Sequence, residues 1–230
     1  MKHFYPCLLT GLLTTSIAAC GTGEQLPEGE SFGANPTLPA PDTSLIPTVR
    51  IAPAKGWSDG EAPKAAEGFA VKAFATELDH PRWLYVLPNG DVLVAETNAP
   101  AKPDDGQGIK GWVMKLVMSR AGAGVPSANR ISLLRYADGD GVAEMRTTFL
   151  QNLNSPFGMA LVGNNLYVAD TDKILRFPYQ AGSTQINTAG VKVVDLPAGT
   201  INHHWTKNII ASPDGSLLYA TVGSNSNVGE

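Results

Sequence analysis

The feature of this sequence that most constrains its fold is a hairpin pattern that occurs three times. Each copy has two short apolar runs that flank a tight turn, at residues 88–90, 163–165 and 213–215. The turns are built from Gly, Asn, Asp and Pro, which favour the backbone conformations of tight turns. Short apolar runs separated in this way are typical of antiparallel strands. The pattern predicts an all-β chain.

A second pair of strands lies between successive copies of the hairpin. Residues 131–136 and 145–150 form one such pair, and residues 173–180 and 191–196 form another. Four short strands that recur along a chain are the sequence pattern of a β-propeller. We therefore predict an incomplete β-propeller over residues 67–230, with about three to four blades. The pattern alone leaves a β-sandwich with similar hairpins as the alternative.

One segment has the period of a helix instead. Trp112, Val113, Leu116 and Val117 fall on one face of a helix predicted for residues 109–120, and glycines follow it as stop signals. A stripe of this kind more often packs against a core than binds a ligand, so we predict packing.

The charge balance excludes one class of partner. The formal net charge is −4 and the pI is near 5.6, so the chain lacks the basic surface that nucleic-acid binding requires.

The N-terminus has the pattern of an export signal. Lys2 and His3 precede an apolar stretch that is short and interrupted, and residues 17–20 read Ile-Ala-Ala-Cys. This ending resembles the lipobox of bacterial lipoproteins, which implies cleavage before Cys20 and lipid on its sulfur. An ordinary signal peptide is the alternative. We expect residues 1–20 to be a lipoprotein-type signal, residues 21–66 a Pro-rich linker, and the mature protein to be periplasmic, held on a bacterial membrane by lipid alone.

Several motifs together resemble one enzyme family. They are HPRWLYVLPNGDVLVAET, DGDGVAE, PFGMAL, LYVADTD and HHWTKNIIASPDGSLLYATVGSNSNVGE, which run in order over about residues 66–230. They are similar to the sorbosone and glucose dehydrogenases that depend on pyrroloquinoline quinone (PQQ), and most similar to the sorbosone branch. The resemblance implies a six-bladed propeller that oxidises a small sugar or a related alcohol or aldehyde, with PQQ and calcium as cofactors. It indicates no particular electron acceptor.

The resemblance also implies roles for residues at the strand entries. In the family, the general base is a histidine ten residues before the Asp of a Pro-Asp turn, and His204 stands at that position relative to Asp214. A neutral imidazole with a pKa near 6.5 can accept a proton at working pH. His203, Arg82 and Asn154 are the candidate cofactor-binding residues. A solvated loop for His203 and a surface position for Arg82 are the alternatives.

The acidic segment around Asp138 and Asp140 partly matches a calcium loop. However, Tyr136 and Thr147 stand where the first and last carboxylate ligands belong. A tight turn capped by Asp side chains explains the segment better. We therefore assign no metal ligand, and the calcium implied by the resemblance is expected to bind beyond residue 230.

Two other classes of function fit a propeller. A lactonase-type propeller holds calcium on its axis with acidic residues, and a binding propeller performs no chemistry. The entries at Arg82, Asn154 and His204 are not acidic, which disfavours the lactonase. Because the sequence stops directly after a strand, we expect an N-terminal portion of a longer protein, without turnover on its own.

Overall fold

The structure is a computed structural model that describes residues 26–27, 29–38, 51–58, 60–100, 108–199 and 202–224. The chain divides into two units, Met1–Ile51 and Ala52–Glu230. In the first unit, the Thr37 amide donates a hydrogen bond to the Glu30 carbonyl. Cys20 and the rest of the predicted signal lie outside the described residues. The helix and the strands described below belong to the second unit.

The strands form two four-stranded antiparallel sheets and a separate hairpin, each in sequence order. Sheet 1 consists of β1 (Pro81–Val86), β2 (Val92–Glu96), β3 (Arg130–Arg135) and β4 (Met145–Leu150). Sheet 2 consists of β5 (Met159–Val162), β6 (Asn165–Ala169), β7 (Lys173–Pro178) and β8 (Val191–Asp195). The third hairpin consists of β9 (Ile209–Ala211) and β10 (Leu218–Ala220). The three predicted hairpins and the two predicted outer pairs are confirmed.

Sheet 2 is packed on both of its faces. Along β6, Leu166 and Val168 join a core cluster with sheet 1, whereas Tyr167 and Ala169 pack with Ile209 of the third hairpin. Successive side chains of a strand point to opposite faces, so this alternation places one neighbour on each side. In a two-layered sandwich each sheet would have one face toward solvent. A series of meander sheets stacked face on face is instead the arrangement of propeller blades.

The all-β, propeller-like architecture is therefore confirmed at the level of its sheets. The described residues form two four-stranded sheets and one two-stranded hairpin. The sequence predicted more, about three to four blades. The closed six-bladed ring stays a prediction.

Helix α1 (Gly108–Arg120) lies in the connection between β2 and β3, and it begins one residue before the predicted start. Its C-terminal end is held by a hydrogen bond from the Ala54 amide to the Arg120 carbonyl. The predicted packing role of its apolar stripe is wrong within the described part of the chain, because Trp112 and Leu116 are exposed. No helix among the described residues is long and apolar enough to cross a membrane.

Candidate active site

The loop that carries the two histidines is fixed to the end of β6. The Thr171 hydroxyl donates to the Trp205 carbonyl at 3.0 Å and accepts from the Asn202 amide at 2.9 Å. The ammonium of Lys207, which is buried, donates to the His204 carbonyl at 3.1 Å. Burial lowers the pKa of Lys207. The loop before β9 is thus held by side chains at both of its ends.

The imidazole of His204 is half-buried and bonded through one nitrogen. Its Nδ1 lies 2.5 Å from the Ser224 carbonyl oxygen. A carbonyl can only accept, so Nδ1 carries the proton in this contact, and in the neutral ring Nε2 keeps its lone pair. This is the tautomer that a general base acting through Nε2 requires.

Gly223 allows the chain to pass close to this ring. A Cβ added at Gly223 would lie 2.5 Å from the His204 Cβ, which is closer than side chains tolerate. The absence of a side chain at Gly223 is therefore what permits this close approach to His204. The neighbouring His203 is exposed.

The structure brings Arg82 to the histidine loop. Its guanidinium carbon lies 5.4 Å from the centre of the Trp205 ring, within the range of a cation–π contact. Behind it, Trp83 and Phe157 have ring centres 5.2 Å apart, and Phe157 meets Trp205 edge to face at 6.4 Å. One aromatic residue from each strand entry joins this row. Among the residues that the structure describes, no carboxylate forms an ion pair with Arg82.

Asn154 reaches the same region through its backbone. Its N–H donates to Asp170 Oδ2 at 3.1 Å, and its carbonyl accepts from the Thr171 amide at 3.0 Å. Since Thr171 also bonds to the Trp205 carbonyl, Asn154 is two hydrogen bonds away from the histidine loop. The structure therefore gathers all three predicted entries, Arg82 directly and Asn154 indirectly.

Asp170 is a buried carboxyl in this network. It is 1% exposed, and within the described residues its Oδ1 has no hydrogen-bond partner. Burial raises the pKa of Asp170 to about 7, against the opposing hydrogen bond from the Asn154 amide and the charge of Lys173. Lys173 Nζ is 4.0 Å from Oδ2, too far for a direct hydrogen bond.

The acidic loop lies elsewhere, after β3. Asp138, Asp140 and Glu144 are exposed, and each offers an oxygen within 4.8 Å of the others. Their oxygens already accept hydrogen bonds: Asp138 from the Asp140 amide at 3.0 Å, Asp140 from the Val142 amide at 2.7 Å, and Glu144 from the Ala137 amide at 2.8 Å. Lys72 also pairs with Asp140. The predicted Asp-capped turn is confirmed.

Trp205, Thr171 and Lys207 were not singled out from the sequence. The sequence did contain a pattern that points to Thr171. The segments VAET and VADT lie at the ends of β2 and β6, which places Thr97 and Thr171 in matching positions. Trp205 adjoins the histidines in the sequence, but its contact with Arg82 spans more than a hundred residues. No local pattern reports such a contact.

Comparison with solved structures finds a similar fold in a PQQ domain and in two structures of carbohydrate-active enzymes. The PQQ domain of pyranose dehydrogenase from Coprinopsis cinerea matches with a TM-score of 0.51 and 19% identity, over 72% of this chain. A calcium structure of a Trichoderma reesei carbohydrate-active enzyme of family AA12 matches with a TM-score of 0.51 and 18% identity, over 78% of this chain. An iodide structure of the same family and organism gives 0.50 and 18%, over 79%.

The chain spans about a third of the length of these structures, between 33% and 38%. No family model matches the chain, and no curated protein sequence matches it either. At identities of 18–19%, the likeness concerns the fold. It agrees with the resemblance that the motifs carry.

Proposed function

We propose that this chain is part of a PQQ-dependent oxidoreductase that acts on sugars or related alcohols and aldehydes, of the sorbosone dehydrogenase type. The observation that carries the proposal is the contact of Arg82 with Trp205, the chain neighbour of His204, at the strand entries of a fold shared with a PQQ domain. We further propose that the protein is a periplasmic lipoprotein and that calcium accompanies the quinone. No residue of this chain is assigned to that calcium.

The residues at the entries suit the chemistry of PQQ, which is a flat aromatic quinone with three carboxylates. Arg82 offers a guanidinium that is exposed and pairs with no carboxylate in the described residues, so it can bind an acid group of the cofactor. Trp83, Phe157 and Trp205 lie in a row beside it; Trp83 is 36% exposed and can offer aromatic surface, whereas Trp205 is buried under Arg82. Asn154 and His203 are the further candidates for polar contacts. When bound, the quinone supplies the acceptor for two electrons.

In this proposal His204 is the general base. Its Nε2 takes the proton of the substrate hydroxyl while Nδ1 donates to the Ser224 carbonyl, which keeps the ring in one tautomer and orientation. Thr171 and Lys207 hold the backbone of the loop, so they position the imidazole without contacting the substrate.

PQQ binding tests the proposal before turnover does, because this chain spans only part of the matched structures. We expect the chain to bind PQQ in the presence of CaCl₂, measured by equilibrium dialysis. Arg82→Ala should weaken binding by about tenfold or more, as the loss of a charge-assisted pair implies. Arg176→Ala, which removes an exposed arginine of β7, is the matched control and should bind normally. Absence of PQQ binding by the parent chain would contradict the proposal.

In a preparation of the protein that shows turnover, the reaction rate distinguishes the general base from the residues that contact the cofactor. With PQQ and calcium bound, His204→Ala should lower the rate of sugar oxidation with an artificial electron acceptor by about 10²–10⁴-fold. PQQ affinity should stay unchanged, and His203→Ala should have a smaller effect on rate. Full activity of His204→Ala would overturn the assignment.

A further inference from the structure

The second strands of the two sheets end in the same way, with a buried acidic residue followed by a threonine. The pair is Glu96 and Thr97 at the end of β2, and Asp170 and Thr171 at the end of β6. In each sheet the carboxylate accepts a hydrogen bond from a backbone amide of the loop that enters the first strand. The two acidic residues therefore hold equivalent loops.

Asp170 lacks the donors that its counterpart in sheet 1 has. That counterpart is bound by the Arg130 guanidinium and by the Ser132 hydroxyl, both from β3. The register of β7 places Lys173 and Leu175 at the corresponding positions in sheet 2. Leu175 offers no side-chain donor, and Lys173 Nζ stays 4.0 Å from Asp170 Oδ2. Within the described residues, Asp170 Oδ1 is consequently left without a hydrogen bond.

Lys173 stands between two carboxylates and binds the more exposed one. Its Nζ lies 3.2 Å from Asp172 Oδ2, and a movement of about 1 Å would bring it within hydrogen-bond distance of Asp170. Water reaches Asp172 and can replace the ammonium there, whereas Asp170 is 1% exposed. A buried carboxylate without a partner is costly, so ionisation of Asp170 draws Lys173 away from Asp172.

Thr171 lies inside the short turn that these charged residues bound, and it holds the histidine loop, which we define as residues 202–207. The turn is closed by a hydrogen bond from the Asp170 amide to the Lys173 carbonyl at 2.9 Å. From within it, the Thr171 hydroxyl donates to the Trp205 carbonyl at 3.0 Å. A change of ionic partner at the two ends of so short a turn moves the residues between them. The Thr171 hydroxyl is one of the groups that move.

We propose that the turn of residues 170–173 is a pH-sensitive clamp on the histidine loop. While Asp170 is neutral, Lys173 stays on its exposed partner and Thr171 holds the loop. When Asp170 is ionised, Lys173 moves to it and the hydrogen bond from Thr171 to the loop is weakened. The clamp acts on the loop of the proposed general base, but its response to pH is measured without PQQ. Its failure and the failure of the proposed function are therefore separate results.

Other ionisable groups lie close enough to the clamp to respond to pH themselves. The charged groups that act on Asp170 are Lys173 and Asp172 of its own turn. The histidine loop carries His203, His204 and Lys207, of which the last donates from its ammonium to the His204 carbonyl at 3.1 Å. A pH effect on the loop by itself therefore does not identify the clamp. The test compares the parent with variants that differ at the turn alone.

Fluorine NMR of the full chain labelled with 5-fluorotryptophan follows Trp205 directly, and Trp205→Phe assigns its signal among the four tryptophans. In the parent, the Trp205 signal should shift between pH 5 and pH 8 with a midpoint at about 7. Asp170→Asn, which keeps the shape of the side chain, should show the low-pH signal at both values. The same shift in Asp170→Asn as in the parent would overturn the proposal, because the loop's own groups would then account for it. A parent signal that does not shift would overturn it too.

Two further variants separate the clamp from the loss of a charge. Asp195→Asn removes a carboxylate of β8 that is 74% exposed, and its Trp205 signal should shift with pH as in the parent. Thr171→Val removes the hydroxyl that holds the loop, so at pH 5 its Trp205 signal should already lie toward the high-pH position of the parent. The signal of Trp112 in α1 is the internal reference and should stay unchanged in both variants. A Thr171→Val signal that shifts as fully as that of the parent would contradict the proposed role of Thr171 and overturn the clamp.

Discussion

Two buried carboxylates end the second strands of the two sheets, and their surroundings differ. Glu96 is completely buried and accepts hydrogen bonds from Arg130 at 2.7 and 3.1 Å, from the Ser132 hydroxyl and from the Asp79 amide. Burial by itself would raise the pKa of Glu96, but the Arg130 and Ser132 hydrogen bonds outweigh it and hold the pKa below its usual range. Among the residues that the structure describes, Asp170 accepts a hydrogen bond only from the Asn154 amide, so burial prevails and its pKa is raised.

Removal of the partner of Glu96 should destabilise the fold strongly. Arg130→Met leaves a buried carboxylate without its cation, and we expect a loss of about 3–5 kcal/mol in the free energy of unfolding. Denaturant titration at neutral pH measures it. Lys192→Met, which breaks the exposed pair with Asp195, is the control and should cost about 0–1 kcal/mol. Equal losses of stability in the two variants would show that the bidentate contact between Arg130 and Glu96 contributes no more than an exposed ion pair.

Asp170 should make stability fall as the pH rises. Its pKa is higher in the folded chain, at about 7, than the ordinary value of 3.8, so the folded state binds the proton more tightly. Stability from this group is complete below about pH 4 and is lost as the pH passes through about 7, at most about 4 kcal/mol. Asp170→Asn has no charge to bury, so it should gain stability relative to the parent between pH 5 and pH 8.

Denaturant titrations of both chains at the two pH values measure that difference. Asp195→Asn, at a carboxylate on β8 that is 74% exposed, is the control for the loss of one negative charge. A constant difference between Asp170→Asn and the parent would mean that Asp170 is ionised throughout this range.

At the scale of elements, the third hairpin depends on a close backbone approach at Gly158. Its amide donates to the Lys207 carbonyl at 3.0 Å, and a Cβ at this position would lie 2.5 Å from the Ile209 nitrogen and 2.7 Å from the Asn208 Cα. These neighbours are backbone atoms, so the hairpin itself must move to make room.

Gly158→Ala should therefore loosen the hairpin while both four-stranded sheets persist. Hydrogen exchange should show faster exchange for the amides of β9 and β10, with those of β2 and β3 protected as before. Gly56→Ala, where an added Cβ meets nothing within 4 Å, is the control. Unchanged exchange in β9 and β10 would show that the approach at Gly158 does not fix the hairpin.

The strands and turns could be predicted because the residues that specify each of them are close together in the sequence. The turn at Pro88 and Gly90 and its counterparts fixed the hairpins, and the strands followed from the apolar runs beside them. The burial of helix α1 could not be predicted, since periodicity shows that Trp112 and Leu116 share a face but not whether a partner covers it. The approach of Arg82 to Trp205 also escaped prediction, because it depends on how sheet 1 lies relative to the loop before β9.

At the scale of the whole molecule, the proposed lipid anchor at Cys20 predicts where the protein is found. Protein produced in a bacterial host should partition into detergent, and Cys20→Ser should release it or block its processing, because no other thiol can take the lipid at that site. Phase partitioning with a detergent measures this. Cys7→Ser lies within the expected signal and should partition like the parent. Unchanged partitioning of Cys20→Ser would remove the lipoprotein proposal.

The meander order of the sheets has a consequence for synthesis on the ribosome. Within each sheet, every strand pairs with the strand next to it in sequence, so sheet 1 has all of its pairing partners once residue 150 has emerged. Contacts between sequence neighbours form quickly, and chains fold from the N-terminal side as they are made. The apolar face of sheet 1 that packs on sheet 2 then stays exposed to solvent until the strands of sheet 2 have been translated. The speed of translation across residues 159–195 therefore sets how long this nascent chain is exposed to aggregation.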